Sequence, residues 1–243
     1  MKPLELDDAF LVVMTGAGVS AESGIPTFRD ADGLWERHRL EDVASPEGFQ
    51  KDPSLVWRFY SQRRQKAGEC APNPGHHAIA AIERRLGDRF LLLTQNVDGL
   101  HRRAGSERVI ELHGDLFTTR CSSPSCASAP FHDESRWLDG ALPRCGECGA
   151  LQRPHIVWFG EALDPSHLER YAAFLTRATR KRLVYVACGT SGVVYPAAGL
   201  VHAAREVGAE TVLVNLEAPA NVRAFQRVEL GRSGEILPRL FST

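Results

Sequence analysis

Five short runs of the chain are almost wholly apolar: Phe10–Met14, Phe90–Thr94, Val109–Leu112, Leu183–Ala187 and Thr211–Asn215. Runs this short, rich in Val, Leu and Phe, predict strands buried on both faces. Between them lie stretches with helical spacing of apolar residues, notably Gly75–Leu86 and Ala197–Val207. Strands alternating with helices predict an α/β fold, a parallel sheet covered on both faces. Two stretches break the rhythm. Residues 31–74 are polar, with Trp35, Trp57 and Tyr60 set among charges, and read as helices and loops. Residues 117–152 hold Ser, Pro, Gly and four Cys, and read as a small metal-stapled module. The expected division is therefore a sheet domain of 1–30, 75–116 and 153–243, with a smaller lobe of 31–74 and 117–152. Ligands on open α/β sheets bind at the carboxyl ends of the strands, where a second lobe creates a cleft.

Composition narrows the function classes. Lys plus Arg number 29 and Asp plus Glu 30 among 243 residues, a net charge of -1. A protein that grips nucleic acid carries a basic excess, so no direct nucleic-acid binding is expected. No apolar run approaches the roughly 20 residues of a membrane span. The first ten residues carry Glu5, Asp7 and Asp8 and no signal-peptide pattern, so a cytoplasmic monomer with no membrane partner is expected.

After the first apolar run comes Thr15-Gly16-Ala17-Gly18-Val19-Ser20-Ala21-Glu22-Ser23-Gly24. Residues 16–21 satisfy Gly-x-Gly-x-x-Gly/Ala, a strand-to-helix turn whose backbone N–H groups can approach a pyrophosphate. Gly24 and Pro26 predict that the helix stops after about two turns. A hydride-transferring dehydrogenase continues into a second strand ending in Asp or Glu about 20 residues on. Here the chain runs instead to Thr27-Phe28-Arg29-Asp30 and the polar stretch.

Amide, carboxylate and imidazole groups follow two other strands, in Thr94-Gln95-Asn96-Val97-Asp98-Gly99-Leu100-His101 and in Glu111-Leu112-His113-Gly114-Asp115. At neighbouring strand ends they would converge in the cleft, where His113 is placed to accept a hydroxyl proton. Taken singly, His113 also fits a hydrogen-bonded structural histidine, and Asn96 and Asp98 fit turns. Four of the 6 Cys stand at Cys121-x4-Cys126, then after 18 residues Cys145-x2-Cys148. This spacing fits a four-thiolate zinc site, closed to substrate and therefore structural. Cys70 and Cys188 stand apart and read as plain core or surface thiols.

These pieces together resemble the sirtuins, the NAD-dependent protein deacylases. The matching segments are GAGVSAESGIPTFRD at 16–30, TQNVDGLH at 94–101, LHGD at 112–115, the paired cysteines, RPHIVWFGE at 153–161, CGTSGVVYPAA at 188–198 and VNLE at 214–217. One departure is Cys-x4-Cys where the family often has Cys-x2-Cys. The resemblance implies a Rossmann-like domain with a smaller helical and zinc-binding lobe, NAD as co-substrate and one structural zinc. It implies that Gly16, Ala17, Gly18, Val19, Ser20 and Glu22 line the NAD phosphates, with Phe28 and Arg29 over the nicotinamide ribose. Gln95, Asn96 and Asp98 would hold the ribose and nicotinamide pocket, and His113 would be the general base. Gly189, Thr190, Ser191, Asn215, Leu216, Glu217 and Ser233 would hold the phosphate and adenosine side. Val157, Phe159 and Tyr195 would border the acyl-lysine channel.

A narrower resemblance concerns the acyl group. PSLVWRFYSQRR at 53–64 is similar to the branch that removes succinyl and malonyl groups, marked by Tyr-x-x-Arg, here Tyr60 and Arg63. At i and i+3 on a helix the two share a face, and an Arg fork beside a phenol suits a carboxylate. Ala44 fits that branch's small residue. Arg64 is expected to be solvated. The implied reaction gives nicotinamide, free lysine and an O-acyl-ADP-ribose. Plain deacetylation and mono-ADP-ribosyl transfer are the alternatives within the family. A Rossmann oxidoreductase and a zinc-ribbon nucleic-acid module are the alternatives outside it.

Overall fold

The five apolar runs all become strands of one sheet, and a sixth strand joins them. The structure, a computed structural model, describes residues 1–26, 34–35 and 38–242. The sheet runs Val109–Glu111, Phe90–Thr94, Ala9–Thr15, Arg182–Cys188, Glu210–Asn215, Arg227–Leu230, and every pairing is parallel. Numbered along the chain, this is the doubly wound order 3-2-1-4-5-6. The order reverses between Ala9–Thr15 and Arg182–Cys188. Arg227–Leu230 escapes the sequence reading because it is an edge strand, alternately half-buried and exposed, with charges at two of its four positions.

Successive residues of the central strand serve opposite faces. Val12 and Met14 pack with Leu93, Ile110, Tyr171, Phe174 and Val201. Leu11 and Val13 pack with Leu92, Val186, Ile79, Ile82 and Leu237. The helices responsible are Pro165–Ala178 and Leu200–Glu206 on one face, Pro74–Leu86 and Ser233–Leu240 on the other. The helix expected over 197–207 is a 3-10 turn, Ala197–Gly199, leading into an α-helix, Leu200–Glu206. The helix after the glycine loop is shorter than expected, four residues at Gly18–Ala21.

A third core gathers Val43, Phe49, Trp57, Phe59, Tyr60, Leu116 and Trp158. It lies under the helices Pro46–Lys51 and Pro53–Glu69 and a three-stranded antiparallel sheet, Phe131–His132, Gly114–Cys121 and Gln152–Ile156. Both helices start with a polar cap followed by proline, whose missing N–H has no partner to lose there. Ser45 Oγ accepts from the Gly48 N–H at 2.9 Å, and Asp52 Oδ1 from the Leu55 N–H at 2.8 Å. Among the described residues no helix is long and apolar enough to cross a membrane.

Candidate active site

The glycine loop and the loop after Arg182–Cys188 touch at the point where the strand order reverses. The Gly16 N–H donates to the Cys188 carbonyl at 3.0 Å, and the Gly18 N–H to the Gly189 carbonyl at 2.8 Å. A Cβ on Gly18 would stand 2.7 Å from the Gly189 Cα. Gly189 itself holds φ +62, a left-handed conformation that glycine adopts without steric cost. The two loops thus close backbone against backbone. Beside them opens a cavity of about 430 Å³ lined by Gly18, Glu22, Asn215, Arg232 and Ser233, among others. Glu22 Oε1 accepts from Ser233 Oγ at 3.0 Å and from the Gly234 N–H at 2.9 Å. The carboxylate therefore ties the glycine loop to the start of the last helix. Leu216 lines the cavity, and both it and Glu217 are exposed.

The polar residues at the strand ends meet as expected. Gln95 Nε2 donates to Thr190 Oγ1 at 3.1 Å, and Asn215 Nδ2 to the Thr190 carbonyl at 3.1 Å. Ser191 follows, half-buried. Asn96 Nδ2 donates to Ser20 Oγ at 3.1 Å. Asp98 is buried, its Oδ1 accepting the Leu100 N–H at 2.9 Å. Desolvation raises its carboxyl above the ordinary range, opposed by hydrogen bonds from Leu100 and Ser20 and by the charge of Arg63.

His113 Nδ1 lies 3.2 Å from the Gln95 carbonyl. A carbonyl only accepts, so Nδ1 carries the proton and Nε2 keeps its lone pair. Burial lowers the imidazole pKa, and the Gln95 contact partly opposes that. The neutral ring is the form a general base needs.

Behind this wall lies a network that the sequence reading did not assign. Asn73 Oδ1 caps Pro74–Leu86, accepting from Gly75 and His76, and its Nδ2 donates to the Val19 carbonyl at 2.7 Å. His76 Nδ1 accepts from the Asn73 N–H at 3.3 Å, so its Nε2 proton points to Ser20 Oγ, also at 3.3 Å. His101 Nε2 lies 2.9 Å from Thr15 Oγ1, which bonds Thr94 Oγ1. The two ring centroids lie 4.8 Å apart, with the planes tilted by 56°. Burial drives both below the usual imidazole range, His76 to about 4. Asn73-Pro74, a polar cap before proline, is the local signal that could have marked this place as a helix start.

On the opposite wall, three successive residues join separate parts of the site. The Val157 N–H donates to the His113 carbonyl at 2.9 Å. Trp158 Nε1 donates to Tyr60 Oη at 3.0 Å. The Phe159 N–H donates to the Ala44 carbonyl at 2.9 Å. Tyr60 is fully buried and Ala44 nearly so, whereas Phe159 and Tyr195 are exposed. Burial pushes the Tyr60 phenol up to about 12. Arg63 is 9% exposed, with its guanidinium 5.6 Å from the Phe59 ring centroid. Arg64 is not solvated as expected. It is 2% exposed, because Asp133 and several carbonyls from the cysteine-bearing sheet surround its head. Cys70 and Cys188 are both buried thiols. Phe28 and Arg29 lie outside the described residues.

The Sγ atoms of Cys121, Cys126, Cys145 and Cys148 all lie within 4.8 Å of one another. Two of the pairs stand at 3.5 and 3.7 Å. Tetrahedral ligation at about 2.3 Å places sulfurs about 3.8 Å apart. The donor set and its spacing thus fit zinc despite the longer first loop. The cavity beside the glycine loop, lined by Gly18 and Gly189 and by the polar side chains of Asn215, Arg232 and Ser233, likewise fits part of a dinucleotide.

The pattern of the Sir2 family matches residues 16–196. An NAD-dependent protein deacylase of Pyrococcus furiosus is 46% identical over 94% of this chain and 90% of its own. NAD-dependent protein deacylase 2 of Pyrobaculum aerophilum is 48% identical over 94% of this chain and 88% of its own. A crystal structure of a Sir2 homolog–NAD complex superposes with a TM-score of 0.86 at 41% identity, covering 99% of this chain and 94% of that one. Motifs, doubly wound sheet, cysteine cluster and these relatives agree: the chain belongs to the Sir2 family.

Proposed function

We infer that this chain removes acyl groups from the lysine side chains of proteins, consuming NAD, and that it prefers acyl groups ending in a carboxylate, succinyl and malonyl. The observation that carries the acyl preference is the run 157–159. It bonds in turn to the His113 backbone, to Tyr60 and to Ala44, so one short segment links the base to the Tyr60–Arg63 helix, which supports a shared cleft.

NAD bound here supplies a ribose carbon whose bond to nicotinamide can be exchanged for one to the acyl oxygen. Gly16, Ala17, Gly18, Val19, Ser20 and Glu22 would face its phosphates, with Gly189, Thr190, Ser191, Asn215, Leu216, Glu217 and Ser233 on the phosphate and adenosine side. Gln95, Asn96 and Asp98 would surround the nicotinamide ribose, with Phe28 and Arg29 above it. Asn96 and Ser20 are held mutually by their hydrogen bond, which fixes donors before the substrate arrives and spares reorganisation during the reaction. His113 would accept a ribose hydroxyl proton at Nε2, its Nδ1–H anchored on Gln95. The four cysteines would hold a structural zinc that keeps the small sheet folded.

Val157, Phe159 and Tyr195 would border the lysine stem. Arg63 would pair with the acyl carboxylate and Tyr60 would donate its phenolic proton, since its oxygen already accepts from Trp158. An Arg head this well covered makes a charge-assisted contact worth more than a solvated one. Ala44 leaves room for the longer chain. On this reading the working unit is a single chain acting in the cytoplasm on acyl-lysine proteins.

The test is a panel of acetyl-, malonyl- and succinyl-lysine peptides assayed with NAD on wild type and Arg63→Met. Wild type should favour the carboxylate-bearing peptides. Arg63→Met should lower their specificity constants by about 30- to 1,000-fold, equivalent to about 2–4 kcal/mol, and spare acetyl far more. Equal loss of all three activities would make Arg63 structural.

A further inference from the structure

The helix Pro53–Glu69 presents two stripes. Trp57, Ser61 and Arg64 fall at i, i+4 and i+7, on one face. All three are bonded to the cysteine-bearing module. Trp57 Nε1 donates to the Gln152 carbonyl at 2.9 Å, and Ser61 Oγ accepts the Trp137 N–H at 2.8 Å. Arg64 is the centre of this attachment. Its Nε donates to the Leu116 carbonyl at 2.6 Å. Nη1 donates to Asp133 Oδ2 at 3.0 Å and to the Ser135 carbonyl at 2.8 Å. Nη2 donates to Thr119 Oγ1 at 2.8 Å and, at 3.5 Å, to the Thr118 carbonyl. Every N–H of the guanidinium is engaged, and its carbon lies 5.3 Å from the Trp57 ring centroid.

Asp133 is the matching half. Its Oδ2 also accepts from Thr119 Oγ1 at 2.7 Å, and the side chains of the pair are 1% and 8% exposed. Burial alone would raise the Asp133 carboxyl, but hydrogen bonds from Thr119, Ser135 and Arg64 hold it down to about 2. The neighbouring stripe carries Tyr60 and Arg63. Arg63 lies close enough to Asp98 and Tyr60 for its charge to act on both.

We propose that Arg64, locked to Asp133, is a positioning residue for acyl selection: it sets the rotation of the helix and so aims Arg63 and Tyr60 at the end of the acyl chain. The proposal rests on the reading of Arg63 as the carboxylate's partner. The lever is long. An arginine head sits roughly 9 Å from its helix axis, given a Cα radius of about 2.3 Å. A rotation of about 10° therefore moves it by about 1.5 Å, and a misplacement near 1 Å can cost about 100-fold. Lysine at position 64 keeps the charge but has one tripod of donors where arginine has a planar fork of five. It could not hold Leu116, Asp133, Ser135 and Thr119 together.

The experiment compares wild type, Arg64→Lys, Asp133→Asn, Thr119→Val and Arg63→Met as zinc-loaded full chains. It measures kcat and KM for succinyl- and acetyl-lysine peptides, KM for NAD, and Tm. We expect Arg64→Lys and Asp133→Asn to lower the succinyl-to-acetyl ratio of specificity constants by about tenfold or more. The loss should lie chiefly in KM for the succinyl peptide, with KM for NAD within about twofold of wild type. Thr119→Val keeps the ion pair and removes one hydroxyl, so it should fold even if Arg64→Lys does not, and should shift the ratio the same way by less. An unchanged ratio in all three while Arg63→Met lowers it would overturn the positioning role and leave the carboxylate contact standing. Equal loss on both peptides would overturn it too, since that is what a merely structural pair does. If wild type shows no succinyl preference and Arg63→Met changes nothing, the carboxylate reading fails and this proposal with it.

Discussion

On the glycine-loop wall of the cleft, the closest contacts run backbone to backbone; on the wall built by Pro53–Glu69, side chains reach side chains and carbonyls of distant segments. The first wall consists of strand ends and tight turns, with Gly18 against Gly189 and the Gly16 N–H on the Cys188 carbonyl. The second is held by Trp158 on Tyr60, Arg64 on Asp133 and Trp57 on Gln152, over sequence separations of 98, 69 and 95 residues. A backbone cradle tolerates almost no substitution but hardly discriminates among ligands beyond their phosphates. A wall of side chains can be retuned one residue at a time. On the function proposed above, common chemistry and acyl choice would fall on differently built surfaces.

The largest expected effect breaks the first wall. Gly18→Val adds a branched side chain where even a Cβ would stand 2.7 Å from the Gly189 Cα. No side-chain movement relieves a clash between backbones, so the loops must separate. We expect a stability loss of about 3 kcal/mol or more and no measurable NAD binding by calorimetry. Retained NAD affinity would mean that the two loops are not the binding surface.

This difference also governs what the sequence disclosed. The buried strands were legible because parallel sheet interiors are written as unbroken apolar runs, and the glycine loop because its turn admits few residue types. The position of Asn96, Asp98 and His113 just after strands was legible from the two apolar runs that precede them. Arg64 was misread: beside Arg63 it looked like a solvated charge, and only the folded chain brings Asp133 and the Thr118 and Ser135 carbonyls around it. The bond between Trp158 and Tyr60 and the ring contact of His76 with His101 were hidden for the same reason. Contacts between side chains far apart in the chain leave no local period or spacing to read.

Between the two walls stands His113, and removing it should leave both intact. His113→Ala should reduce turnover on every acyl peptide by about 10²- to 10⁴-fold, with NAD affinity and Tm near wild type. The wild-type pH profile sharpens the assignment. Burial lowers the His113 pKa from the ordinary histidine range. The ring is therefore neutral above that range, and kcat should fall only as pH drops through the lowered value, giving an acid limb below about 6.5. A variant that keeps more than about a tenth of wild-type turnover, against the expected range, would place the base elsewhere.

The smallest effect tests the second wall at a single atom. Tyr60 is fully buried, and its phenol oxygen accepts the Trp158 indole N–H at 3.0 Å. Tyr60→Phe should therefore do two separable things. It leaves a buried indole N–H without its acceptor, which costs about 1–3 kcal/mol of stability. It also removes the phenolic proton proposed to reach the acyl carboxylate, which should lower the succinyl-to-acetyl ratio by about 1 kcal/mol, or roughly fivefold. Adding Trp158→Phe distinguishes them. With the indole gone, the double variant should recover part of the stability lost by Tyr60→Phe, a coupling visible in a double-mutant cycle of urea midpoints. The acyl ratio should not recover, because neither phenylalanine supplies a proton. If the ratio returns together with stability, the phenol serves acyl choice only by holding Trp158 in place, and Arg63 alone meets the carboxylate.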